Sequence, residues 1–191
     1  MNKIITIIFC ALLLSCQSTP IQNPSTQTTP TTQKVVIIPL TVGNKWIHTS
    51  NYGREATSEV TNTLIRNGKT WFQYIEISDT YVGMNTNEGH LEYYGSIDNK
   101  DIDIEGTNEC TSLKFPVIQY EEYECDEVKI SVTPNVTISV PAGSFNTYLY
   151  VFGFDNSDRT QAWYAPNIGL IKQINGSESF ELIKYSIANE K

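Results

Sequence analysis

Hydrophobic and polar positions alternate over short stretches along most of this chain, which is the period-two pattern of half-buried strands. Residues 46–52 alternate in this way, and residues 56–65 are rich in Thr and Val. Asn67-Gly68 and Asn175-Gly176 stand between such stretches, and both dipeptides tolerate the positive φ of a tight hairpin turn. No stretch of ten or more residues shows helical periodicity, so the pattern predicts strands joined by turns.

The spacing of these turns predicts an all-β fold from residue 35 to residue 191. We expect roughly nine to eleven short strands in one antiparallel domain, arranged as a strongly curved sheet or open barrel. A β-sandwich is the alternative. Hydrophobic residues make up 40% of the chain, which is enough to build the core of a single domain of this size.

The N-terminus follows a different pattern. Residues 4–14 form an apolar run behind Lys3, and this run is too short for a bilayer span of about 20 residues but fits a signal peptide. Leu13-Leu14-Ser15-Cys16 closes the run and resembles the lipobox of bacterial lipoproteins. The resemblance implies cleavage between Ser15 and Cys16 and a lipid anchor on Cys16. An ordinary secretory leader with a chance cysteine is the alternative.

Residues 16–34 are expected to form the lipidated cysteine and a flexible tether. Residues 17–33 carry no charge, one apolar residue and three prolines among Ser, Thr, Gln and Asn. Such a segment buries too little apolar surface to offset the entropy of ordering it. The predicted organisation is therefore a signal peptide over residues 1–15, a tether over residues 16–34 and a β domain over residues 35–191.

The charge of the chain limits its partners. Lys and Arg number 13 against 21 Asp and Glu, a formal net charge of −8. This excess of negative charge argues against nucleic-acid binding and against docking on anionic lipid by surface charge. We expect contact with the membrane through the lipid on Cys16, and an apolar ligand or envelope protein as further partner. The expected location is the bacterial envelope, at the outer membrane where one exists, because Gln17 is not the Asp that retains lipoproteins at the inner membrane.

Cys110 and Cys125 are the cysteines of the predicted β domain. In an exported protein this pair is expected to form a disulfide, and two free thiols in a reducing niche are the alternative. No third ligand is evident close by in the sequence, which argues against a metal site.

An acidic stretch has a weak resemblance to a calcium-binding loop. Asp101, Asp103 and Glu105 precede Gly106, as in the first half of an EF-hand loop, but Ser112 stands where a bidentate Glu is required. We therefore expect a solvated acidic strand face. A weak cation site formed by Asp101, Asp103 and Glu105 is the alternative.

The sequence offers little support for catalysis. Ser144 lacks the flanking glycines of a nucleophile elbow, and His48 and His90 belong to no recognisable constellation. We expect structural or surface roles for both histidines, no cofactor and no enzymatic activity. An envelope hydrolase with a carboxylate-based site remains an alternative.

Aromatic side chains leave two interpretations open. Trp46, Trp71, Trp163 and Tyr164 lie in predicted strands, where aromatic residues commonly pack in the core. The alternative is a concave, aromatic-lined half-barrel that carries lipid or another apolar ligand.

Three further stretches resemble a family of uncharacterised bacterial exported proteins and lipoproteins. The stretches are PLTVGNKW at residues 39–46, VPAGSF at residues 140–145 and WYAPNIGLIK at residues 163–172. The resemblance implies an antiparallel β fold and no established activity. We therefore expect a membrane-anchored envelope lipoprotein whose β domain binds or scaffolds without catalysis.

The lipobox generates a direct prediction. Cys16→Ala removes the acceptor of the lipid, so the variant should be released in soluble form or should accumulate uncleaved. Detergent phase partitioning of cell fractions, compared with the unaltered protein, measures this difference. Unchanged membrane partitioning of a variant whose leader has been cleaved would contradict lipidation at Cys16.

Overall fold

The computed structural model describes residues 34–66, 68–94, 110–153 and 159–188. Several predicted features lie outside these ranges, namely the signal peptide, the tether up to residue 33, Ser15, Cys16, Asp101, Asp103 and Glu105. Among the described residues, no helix is long and apolar enough to cross a bilayer.

The described residues form twelve strands. These are β1 (Lys45–Ser50), β2 (Glu55–Arg66), β3 (Lys69–Glu76), β4 (Asp79–Asn85), β5 (Gly89–Tyr94), β6 (Leu113–Lys114), β7 (Glu121–Cys125), β8 (Val128–Val140), β9 (Gly143–Gly153), β10 (Thr160–Ala165), β11 (Gly169–Asn175) and β12 (Glu178–Ser186).

All twelve strands belong to one antiparallel sheet in the order β6-β5-β4-β3-β2-β1-β12-β11-β10-β9-β8-β7. Two meanders, β1–β6 and β7–β12, meet where β1 pairs with β12. The all-β prediction with a curved or open sheet is confirmed, and a single sheet excludes the two-sheet sandwich for the residues described.

The strand number differs slightly from the expectation for local reasons. The strand β7 lies in an acidic segment without apolar alternation, so the pattern did not reveal it. Residues 128–133 and 136–140 belong to the single strand β8, whose register shifts after Thr133. Asn135 takes a positive φ of 61° at that irregularity.

The sheet curls until strands that are far apart in its order touch. Tyr164 on β10 donates a hydrogen bond of 2.8 Å to Glu76 Oε2 on β3, five positions away in the sheet. The amide of Ala142, in the β8–β9 turn, donates to the carbonyl of Leu182 on β12 at 3.0 Å. The indole of Trp46 on β1 donates to the carbonyl of Ile168. These contacts enclose one contiguous core.

Two non-strand segments help to fill that core. Ile37, Ile38 and Leu40, which precede β1, are at most 6% exposed. This entry segment is held by the Asn167 side chain, which accepts a hydrogen bond of 3.0 Å from the Val36 amide. The connection from β6 to β7 adds Phe115 and Val117, each 8% exposed.

Side chains bridge the gap between the two ends of the sheet, β6 and β7. Cys110 and Cys125 form a disulfide, as expected. The Tyr123 hydroxyl accepts from the Lys114 amide at 3.2 Å and donates to the Ser112 carbonyl at 2.9 Å. In a closed sheet, backbone hydrogen bonds would join β6 to β7 at this place. We call the region formed by these side-chain contacts of Cys110, Cys125 and Tyr123 the seam.

The seam generates a stability prediction. Reduction of the disulfide, or Cys110→Ser with Cys125→Ser, should lower the free energy of unfolding by about 3 kcal/mol, because the bridge closes a loop of roughly 15 residues. Urea denaturation with and without a thiol reductant measures the change. The double variant is the control, since reductant should not affect it. An unchanged midpoint on reduction of the native protein would contradict the prediction.

Candidate functional site

A polar cluster lies on the core side of β3, β4 and β5. Tyr74, which is 2% exposed, places its hydroxyl 3.0 Å from His90 Nε2 and donates a short hydrogen bond to Glu92 Oε2. His90 is fully buried, and its Nε2 is 3.5 Å from Glu92 Oε2. Burial, followed by the charges of Glu92 and Glu76, raises the pKa of Tyr74 well above its usual value, so this phenol keeps its proton.

A glycine on β4 makes room for this contact. A Cβ at Gly83 would lie 2.6 Å from His90 Cε1 and 2.9 Å from Tyr74 Cε1, closer than carbon atoms can approach. The strand register places Gly83 directly opposite Glu92 on β5 and Phe72 on β3. The absence of a side chain on β4 therefore lets the two rings meet across it.

The orientation of His90 is set by its second nitrogen. His90 Nδ1 lies 3.3 Å from Asn85 Oδ1, and that amide oxygen can only accept a hydrogen bond. The Nδ1 atom therefore carries a hydrogen. The Asn85 amide nitrogen donates to the Ile38 carbonyl at 2.8 Å, which connects the cluster to the entry segment.

Glu76 extends the cluster towards β10. It accepts the hydrogen bond from Tyr164 described above, and its side chain is half-buried. Desolvation, followed by the negative charge of Glu92, raises the pKa of Glu76 to about 8, although the Tyr164 hydrogen bond acts in the opposite direction. Glu76 is therefore mostly protonated at neutral pH. Burial, with the charge of Glu76 next, also raises the pKa of Tyr164 well above its usual value.

His48 on β1 faces the same interior. Its Nε2 is 3.1 Å from the Leu170 carbonyl, so Nε2 carries the hydrogen and Nδ1 is a bare acceptor. Burial lowers the pKa of His48 to about 4, against the opposing effect of the Leu170 hydrogen bond. Among the described residues, His48 Nδ1 is the one buried side-chain nitrogen or oxygen without a hydrogen-bond partner.

A small cavity connects His48 to the polar cluster. Its walls include the side chains of His48, Ser58, Tyr74 and Glu76. About 10 Å³ within it is open to the centre of a water molecule, which is room for one water and for no organic substrate.

A second and larger cavity is open to solvent at the β7 end of the sheet. This edge groove has a volume of about 530 Å³, within the range of ligand pockets. The register of β7 against β8 aligns Glu122 with Ser131 and Glu124 with Lys129. These side chains line the groove together with Tyr120, Val151, Gly153 and Arg159.

An adjoining open cavity of about 520 Å³ lies beside the disulfide. It shares Glu124 with the edge groove and is lined also by Cys110, Asp126 and Glu127. A carboxylate oxygen of Asp126 and the sulfurs of Cys110 and Cys125 lie within 4.8 Å of one another. Asp126 is thus a third potential ligand that the sequence analysis did not recognise, but disulfide sulfurs are not the thiolates that bind metal.

The four aromatic residues singled out from the sequence occupy different environments. Trp46 and Tyr164 belong to the contiguous core, whereas Trp71 and Trp163 are buried outside that cluster. None of the four lines the edge groove. His48 and His90 were expected in structural or surface roles, and both are fully buried, which excludes the surface alternative.

Sequence reasoning missed the carboxylates of the polar cluster. Glu76 lies two residues after Tyr74 in β3, and in a strand such residues share one face. Glu76 is therefore a charged residue on the face that Tyr74 buries. That irregularity was the available signal for Glu76. No comparable signal marked Tyr120 or Arg159, because their proximity depends on strand register.

Comparisons with known proteins place few constraints on the chain. No family model matches it, and no curated protein matches it. One similar solved structure is a candidate lipoprotein from Parabacteroides distasonis, with 14% identity and a TM-score of 0.34, covering 80% of this chain and 99% of that one. Another is a candidate exported protein with a YmcC-like fold from Bacteroides fragilis, with 12% identity and a TM-score of 0.35, covering 80% of this chain and 100% of that one.

The packing at Gly83 generates a prediction. Gly83→Ala should lower the free energy of unfolding by about 1–3 kcal/mol, because the added methyl group must displace two enclosed rings. Urea denaturation measures the loss.

Gly153→Ala is the matched control for Gly83→Ala. There the added Cβ would meet Arg159 Cγ at 2.9 Å, but Arg159 is a solvent-exposed residue, whereas the two rings at Gly83 are enclosed. Gly153→Ala should therefore lower the free energy of unfolding clearly less than Gly83→Ala does. Equal losses in the two variants would contradict the tight packing at Gly83.

Proposed function

We propose that this protein is a lipid-anchored protein of the bacterial envelope, and that its β domain binds a basic peptide segment of another envelope protein in the edge groove. The lipobox at residues 13–16 supports the location. The observation that carries the binding role is the open edge groove, whose volume of about 530 Å³ is that of a ligand site, continued by an acidic cavity beside it.

The filled interior argues against a carrier of lipid. A half-barrel carrier needs an open apolar cavity, but in this domain the entry segment and the β6–β7 connection occupy the core. Trp46, one of the aromatic residues suggested as ligand contacts, uses its indole nitrogen for the internal hydrogen bond to Ile168. We therefore assign binding to the outer surface of the sheet.

The edge groove and the adjoining cavity together have an excess of negative charge, which favours a positively charged chain. In the groove itself, the carboxylates of Glu122 and Glu124 are matched in number by Lys129 and Arg159. The excess lies in the adjoining cavity, where Asp126 and Glu127 add two further carboxylates. These carboxylates favour lysine and arginine side chains on the partner.

Exposed side chains just before β7 offer a second kind of contact. Tyr120, which lines the groove, is 56% exposed, and Ile118, two residues before it in the chain, is 91% exposed. Exposed aromatic residues are frequent anchors of protein interfaces, because a large rigid ring buries much area at little entropic cost. The partner segment is therefore expected to carry an apolar residue among its basic ones.

We also propose that the domain is not an enzyme. The polar cluster contains a histidine and carboxylates, which are common catalytic groups, but the cavity beside it has room for one water only. A substrate cannot reach these groups in this conformation. Their hydrogen bonds connect β3, β5 and β10 and stabilise the curled sheet.

The binding role is tested with fluorescently labelled peptides. A peptide alternating lysine with leucine should bind the purified full-length protein, and a glutamate–leucine peptide of equal length should not. Fluorescence anisotropy measures both. Binding should weaken as salt rises from low ionic strength, because the exposed charges are screened.

Variants locate the site. Tyr120→Ala with Glu122→Gln should weaken binding of the lysine–leucine peptide by at least about fivefold, a loss on the order of 1 kcal/mol. Tyr52→Ala is the control, because Tyr52 is 69% exposed outside the groove and should not affect binding. Equal affinity of all three proteins would contradict the proposal, and so would native mass spectrometry that shows stoichiometric lipid bound without a covalent bond, in addition to the anchor on Cys16.

A further inference from the structure

We propose that the small interior cavity is a binding site for one water molecule, which bridges His48 Nδ1 and the carboxyl group of Glu76. The inference goes beyond the proposed function and does not depend on the edge groove. It joins β1 to β3 across β2 by a solvent molecule inside the core.

The acceptor side of the bridge is His48. Its Nε2 hydrogen is directed at Leu170, so Nδ1 has a lone pair and no hydrogen. A buried acceptor without a partner costs about 1–3 kcal/mol. In native proteins such atoms are commonly satisfied by ordered water, provided that the space is large enough.

The donor side of the bridge is Glu76. Oε2 accepts the hydrogen bond from Tyr164, and the protonated form of the acid has in addition a hydroxyl hydrogen to donate. A donor at Glu76 and a bare acceptor at His48 thus line the same cavity. A water that accepts from the acid and donates to the imidazole satisfies both.

Ser58 supplies a further polar contact. Its Oγ accepts a hydrogen bond of 2.8 Å from the Ile77 amide, which leaves its own hydroxyl hydrogen to donate into the cavity. Three polar groups therefore surround a space for one water, and a buried water typically makes about three hydrogen bonds. The rest of the wall is mostly apolar and includes Ile38 and Leu170.

The groups around Glu76 maintain its protonation. Desolvation acts first, and the negative charges of Glu92 on β5 and Asp79 on β4 act in the same direction. Tyr164 on β10 opposes them by its hydrogen bond, and the Tyr74 phenol on β3 is uncharged. His48 on β1 is neutral at pH 7, because burial lowers its pKa to about 4. No cation among these groups stabilises a carboxylate at Glu76.

This protonation state makes stability depend on pH. The folded protein holds a proton on Glu76 up to about pH 8, whereas the unfolded chain releases it near pH 4.5. Folding therefore takes up a proton between these values, and the stability of the native protein falls as pH rises through this window. Glu76→Gln keeps a donor and an acceptor but cannot ionise, so it lacks this dependence.

The first test compares Glu76→Gln with the native full-length protein by urea denaturation from pH 4.5 to pH 9. We divide the folded-to-unfolded ratio of Glu76→Gln by that of the native protein. This quotient should rise by up to tenfold for each pH unit up to about pH 8 and should stay constant above that pH. Groups common to both proteins cancel in the comparison. Glu59→Gln, at a carboxylate that is 39% exposed beside Lys45, is the control and should show no comparable gain.

The second test locates the water itself. A high-resolution crystal structure of the native protein should show one water within hydrogen-bond distance of His48 Nδ1 and of a Glu76 carboxyl oxygen, retained in Glu76→Gln. Nitrogen-15 spectra of the histidines should show His48 protonated at Nε2. A cavity without density, a direct bond from Glu76 to His48, or a flat pH dependence in the first test would each overturn the proposal.

Discussion

The hydrogen bond between Tyr164 and Glu76 is the contact on which the architecture depends. It joins strands that are five positions apart in the sheet order, so it forms only when the sheet curls around its core. Because both groups lie in a desolvated interior, each needs the other to satisfy its hydrogen-bonding capacity. The polar cluster around Tyr74 shares this interior and ties β3 to β5 by the same requirement.

The core of the curled sheet is filled, which leaves its outer surface for the binding that we propose. The entry segment and the β6–β7 connection occupy the space that an open half-barrel would offer to a ligand. The disulfide and the Tyr123 hydroxyl hold the two ends of the sheet together where no backbone ladder joins them. The edge groove lies beside this seam, so the same elements that complete the fold also shape the proposed binding surface.

The local parts of the fold were predictable because turn chemistry is local. Gly68 and Gly176 take the positive φ that their hairpins require, and the strands on either side follow the alternating pattern. The carboxylate cluster was not predictable in the same way. Glu76 and Glu92 are 16 positions apart, and their proximity depends on two strand registers and on Gly83, where a missing side chain lets the rings on either side meet.

The sequence by itself determined the class of fold and the two Asn-Gly turns, and it predicts a lipid anchor, because each of these depends on residues close together in the chain. Only the tertiary structure decided that Trp46, Trp71, Trp163 and Tyr164 are buried and that none of these four lines the edge groove. It also decided that His48 is a neutral buried acceptor and Glu76 a protonated acid. Desolvation depends on everything that surrounds a group, and for these two residues the surroundings come from strands far apart in the sequence.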